Sequence, residues 1–161
     1  MQPNIAVGEP VRWLLIFSRQ AASRWMSFIA FGRFKHVRAI GYVPGFDQWI
    51  FYDVRWSACH LFVVRDKTDE FRALFSDWAY DAEIVSMDRP ARSLSRLPKT
   101  FLCTTAIGHL LGLRCVAARP DAFYRQCLSH GGVVIDGRAQ ETRTAADEPA
   151  VRPACSAGGA G

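Results

Sequence analysis

Apolar residues along this chain keep two rhythms: short dense or alternating runs, and runs at helical spacing. VRWLLIFS (11–18) is a dense apolar run and predicts a buried strand. KHVRAIGYV (35–43) is rich in β-branched and aromatic residues and predicts a second strand. PGFDQ (44–48) reads as a turn, because Pro and Gly together punctuate strongly, and WIFYDV (49–54) as the returning strand of a hairpin. CHLFVV (59–64) and AEIVSMD (82–88) complete the expected strands. Between those two, Phe71, Leu74, Phe75 and Trp78 recur at helical spacing over 69–79, with Asp66 or Thr68 as the cap. RQAASRWMSFIAF (19–31) is compatible with a short helix.

After a polar, Arg-rich connection (89–100), a helix is expected from Phe101–Cys103 to Gly112. Ala106, Ile107, Leu110 and Leu111 form its buried face and Gly112 suits its C-terminal cap. A last helix starts at Arg119-Pro120-Asp121, with Pro120 in its first turn, and stops at His130-Gly131-Gly132. From Asp136 onward aromatic residues and periodicity vanish. The expected organisation is a flexible lead (1–10), a single α+β domain (11–135) with a small, mainly antiparallel sheet packed against helices, and a disordered tail (136–161).

Composition agrees with one domain. Half of the 161 residues are hydrophobic and 22% are charged, a mix that supports a core rather than a disordered chain. The net charge of +5 raises nucleic acid as a partner, but the arginines are spread along the chain without a basic run, so none is expected. No uncharged run reaches the ~18 residues of a membrane span. The five cysteines are odd in number, lack a CxxC, and follow an opening (MQPNIAVGEP) unlike a signal peptide. Reduced thiols in a cytoplasm are therefore the expectation. No zinc-type spacing and no phosphate-binding glycine loop occurs, so neither metal nor cofactor is expected.

Three residues carry candidate chemistry. Cys103 opens an apolar helix, where the helix dipole and unpaired N–H groups favour thiolate and an oxyanion. Its plainer role is that of a small buried residue. His36 starts a strand whose face includes Arg38, Ile40 and Tyr42; alone, it is as well read as a structural His. Asp53 lies on the returning strand. A four-residue loop at 44–47 pairs Val43 with Gln48 and sets Arg38 opposite Asp53, with His36 diagonal on the same face. A carboxylate there orients His36 and stabilises its cation; the alternative is a simple Arg38–Asp53 ion pair. A slip of one residue would remove both.

The order of four segments, FGRFKHVRAIGYV, WIFYD, FLCTTAIGHLLGLR and RPDAFYRQCL, resembles small phage and prophage proteins that look like circularly permuted NlpC/P60 and papain-like cysteine hydrolases. The resemblance covers about residues 11–130. It implies a permuted papain-like fold and a thiol amidase or peptidase, with Cys103 as nucleophile, His36 as general base and Asp53 as orienter. It also implies a peptide or peptidoglycan-like substrate, or, where activity has been lost, a virion or host protein as partner of a structural factor on the same scaffold. A virion-associated location would then accompany the cytoplasmic one. No second His of the kind some relatives carry stands beside Asp53.

Overall fold

The computed structural model describes residues 8–21, 32–55, 58–88, 102–114 and 117–135. The readings made for the lead before residue 8, for 22–31, for 89–101 and for the tail from 136 fall outside these residues. The chain is mixed α+β: a six-stranded antiparallel sheet with helices on both faces.

The strands are β1 (Arg12–Ser18), β2 (His36–Val43), β3 (Gln48–Val54), β4 (Cys59–Arg65), β5 (Ala82–Asp88) and β6 (Val133–Ile135). The helices are α1 (Asp69–Ala79), α2 (Cys103–Leu110) and α3 (Pro120–Ser129). Strand order is β4-β3-β2-β1-β5-β6. β1 is central, which accounts for its unbroken apolar run: every residue from Trp13 to Ser18 is buried. Alternation then sorts the core. Trp13, Leu15, Phe17, Val37, Ala39, Val85 and Met87 pack against Ile107 of α2, Leu111 at its C-cap, and Phe123 and Cys127 of α3. Leu14, Ile16, Ile40, Phe51 and Ile84 point to the other face, against Phe71, Leu74, Phe75 and Trp78 of α1. β6 joins the sheet beside β5. Its three residues are too short a run to predict a strand by periodicity.

Local signals set the element ends. The Pro44–Phe46 turn is a single 3₁₀ turn closed by Asp47 at φ 52°. It delivers the expected pairing of Val43 with Gln48. Thr68, not Asp66, caps α1: its Oγ1 accepts from the Phe71 N–H at 3.2 Å. Asp66 instead accepts from Trp49 Nε1 at 2.7 Å. α2 ends in a Schellman motif, with Gly112 at φ 70°, Gly112 N–H on His109 O and Leu113 N–H on Gly108 O. α3 ends the same way at Gly131 and Gly132.

Gly41 has a different role. It pairs with Trp13 across β1 and β2, and a Cβ there would lie 2.7 Å from the indole ring. Its bare backbone makes room for the ring. Among the described residues no helix is long and apolar enough to cross a membrane.

Candidate functional site

His36 is the first residue of β2, and its entry is held from two sides. The Lys35 N–H donates to Ser18 O at 2.8 Å. Asp121, in the first turn of α3, accepts from the backbone N–H groups of Arg33 and Phe34 at 3.0 and 3.3 Å. The Phe34 ring is buried among Phe17 and Tyr124. The chain therefore enters β2 along a path fixed by packing, and the imidazole inherits that precision.

The β2–β3 ladder runs from Val43–Gln48 only as far as Ala39–Tyr52. β2 continues to His36 against β1, and β3 continues to Val54 against β4. Past Ala39 and Tyr52 side chains take over from the backbone ladder. His36 Nε2 lies 2.6 Å from Asp53 Oδ1, and both side chains are only 1% exposed. The other carboxylate oxygen, Oδ2, takes Arg55 Nε at 2.9 Å, with Arg38 Nε at 3.6 Å. The Arg38 guanidinium also lies over the Trp78 ring of α1, 5.0 Å from its centroid. Asp53 thus contacts both His36 and Arg38, so the two alternatives left by the sequence coexist.

Arg55 was not anticipated. Its signal was present: it stands two residues after Asp53, and side chains two apart on a strand share a face.

Cys103 opens α2, and its side chain is half-buried beside the α2–α3 core. Alternation assigns His36 to the face of Arg38 and Ile40, opposite the layer of α2. Even so, the Cys103 thiol stands close enough to the imidazole to help raise its pKa. With Nε2 engaged by Asp53, Nδ1 is the nitrogen left for sulfur. It is buried, and no partner meets the geometry of a full hydrogen bond. The backbone N–H of Leu102 is closed off by Thr105 Oγ1 at 3.0 Å, which fixes the start of the helix beneath the thiol.

The electrostatics follow from this arrangement. Burial alone would lower the His36 pKa. The hydrogen bond to Asp53, followed by the nearby Cys103 and the Asp53 charge, outweighs burial and raises it from 6.5 to about 9. Burial likewise opposes ionisation of Asp53. The His36 hydrogen bond and charge, with Arg55 and Arg38, prevail and hold its carboxyl at about 2. At neutral pH the imidazole is a buried cation, with one N–H on Asp53 and the other available to sulfur.

The remaining histidines are elsewhere. His60 sits opposite Asp53 in the β3–β4 register but its ring lies along Phe62, and His130 closes α3. Among the described residues no group of three His, Cys, Asp or Glu side chains is placed to hold a metal. No family model, no curated protein and no solved structure matches this chain.

Proposed function

We propose that this chain is a thiol-dependent amidase or peptidase-like hydrolase acting on peptide or peptidoglycan amides. The observation that carries the reading is the buried His36 Nε2–Asp53 Oδ1 contact of 2.6 Å, which leaves Nδ1 for Cys103. In the same proposal the fold is a permuted NlpC/P60-like, papain-like arrangement, and the setting is a phage or prophage protein in the cytoplasm or virion.

The chemistry needs no other group. His36 already carries its second proton, so the reactive form is a Cys103 thiolate, its proton given up to solvent, facing the Nδ1–H of the imidazolium. Sulfur attacks the amide carbon, forming the C–S bond as the carbonyl electron pair moves to oxygen. The first-turn N–H groups of Cys103 and Thr104 lack intrahelical acceptors and are suited to that oxygen. When the oxyanion collapses, the C–N bond breaks, and the His36 Nδ1 proton goes to the leaving amine. Water then loses a proton to Nδ1 and adds to the thioester; the C–S bond breaks and Cys103 is restored. Throughout, Asp53 holds the Nε2–H, and Arg38 and Arg55 keep Asp53 ionised.

The test is alkylation by iodoacetamide at about pH 6, read residue by residue by mass spectrometry. Cys103 is expected to react at least ~10-fold faster than the exposed Cys59, and His36→Ala to abolish the difference. Equal rates at Cys103 and Cys59 in the native chain would refute the catalytic reading. They would favour the second one, a noncatalytic structural or host-interaction protein on the same scaffold.

A further inference from the structure

Among the described residues β4 is the edge of the sheet, and the exposed side chains at its middle are apolar: Leu61 is 59% exposed, Phe62 44% and Val63 54%. Edges of soluble proteins are usually blunted by Pro, Lys, inward charges or bulges. β4 (CHLFVVR) has none in its middle, and its register with β3 is unbroken from Gln48–Arg65 to Val54–Cys59. The opposite edge, β6, has only three residues.

Backbone polarity says what such an edge accepts. The Arg55 N–H donates to Ala58 O, and the Asp66 N–H donates to Asp47 O. Hydrogen-bonded pairs alternate along an antiparallel ladder. His60, Phe62 and Val64 therefore turn their N–H and C=O groups toward β3, while Cys59, Leu61, Val63 and Arg65 turn theirs outward. The outward set is symmetric about Phe62.

We infer that β4 pairs antiparallel with β4 of a second copy of this chain, about a twofold axis at Phe62, joining two sheets into one. Leu61 then exchanges two backbone hydrogen bonds with Val63 of the second copy, and Cys59 lies opposite Arg65. Phe62 meets Phe62 in a non-hydrogen-bonded pair, where side chains come closest. Apolar side chains meet apolar ones on both faces, and no like charges are opposed. Shifting the register by two residues either way loses an end pair, so this register gives the longest match. The Arg65 carbonyl already accepts from the Thr68 hydroxyl and keeps a second lone pair for Cys59. One strand and three apolar side chains per copy bury about 1,000 Å² in total, the size of a weak, transient interface. This inference is independent of the thiol chemistry.

The experiment is sedimentation equilibrium of the full chain from about 1 to about 300 μM, with three sequences. The native chain is expected to pass from 18.0 kDa to twice that mass. Leu61→Glu with Val63→Glu puts acidic side chains opposite one another in both central pairs and is expected to weaken dimerisation at least ~100-fold. Leu61→Lys with Val63→Glu puts opposite charges there and is expected to restore it, which holds only in this register. Both substituted side chains are solvent-exposed, and circular dichroism checks that the fold is kept. A native chain that remains at 18.0 kDa overturns the inference. So does a dimer indifferent to the acidic pair, or a Lys/Glu variant that stays monomeric.

Discussion

Replacing Asp53 by Asn removes the charge at the centre of the site while keeping its shape. Asn can still accept the Nε2–H of His36, so the perturbation isolates the electrostatic part. In the native chain His36 moves from 6.5 to about 9. Its folded pKa lies above the unfolded one, so between these values the folded chain holds the proton and the unfolded chain has lost it. The resulting stabilisation is complete below about pH 6.5 and is lost as pH rises through about 9. The size of the shift corresponds to about 3 kcal/mol. Asp53 supplies the largest contribution opposing burial, so removing its charge is expected to cost on the order of 2 kcal/mol. The lowered Asp53 pKa describes the same contact and is not added to this.

Urea unfolding of the native chain and of Asp53→Asn, followed by tryptophan fluorescence, measures the difference directly. At about pH 6 the variant is expected to be less stable by about 2 kcal/mol. By about pH 9.5 the gap should shrink to about 1 kcal/mol or less, what remains being the Arg38 and Arg55 contacts. On the acid side the native chain's Asp53 contribution is present above about 3.8 and lost as pH falls through about 2. A gap between the two proteins that stays constant from about pH 6 to about 9.5 would show that His36 and Asp53 are not coupled as described.

Amide hydrolysis, if His36 protonates the leaving amine, should decline as pH rises through about 9, and Asp53→Asn should move that limb to lower pH; a limb that does not move refutes the orienting role. Thr68→Ala removes the acceptor for the Phe71 N–H and should cost about 1 kcal/mol in urea unfolding; no change would mean α1 is held by packing alone. Gly41→Ala should cost about 1–3 kcal/mol and perturb tryptophan emission, because its Cβ collides with the Trp13 ring. Gly112→Ala, forced to a φ of 70°, should cost about 1 kcal/mol with emission unchanged.

Much of the fold was legible because strands, helices and turns have local causes. The run from Trp13 to Phe17 marked a strand buried on both faces, and Phe71, Leu74, Phe75 and Trp78 marked the apolar side of α1. The four-residue loop at 44–47 set the hairpin register, and with it the closeness of Arg38 and Asp53. Gly112 and Gly131 marked helix ends because a left-handed residue there is cheapest as Gly. What the sequence could not determine lies where distant segments meet. Periodicity assigns a side chain to a face, but not the distance it spans. That Asp53 reaches His36 Nε2 depends on β2 and β3 parting after Ala39–Tyr52. That Cys103 reaches the same ring depends on how α2 seats across the sheet. The capture of Asp53 by Arg55, and the addition of β6 beside β5, are likewise outcomes of packing. The sequence by itself determined which residues are candidates for chemistry and which faces are apolar. Only the tertiary structure decided that His36, Arg38 and Arg55 converge on the buried Asp53, because those contacts are closed by packing rather than by any local pattern.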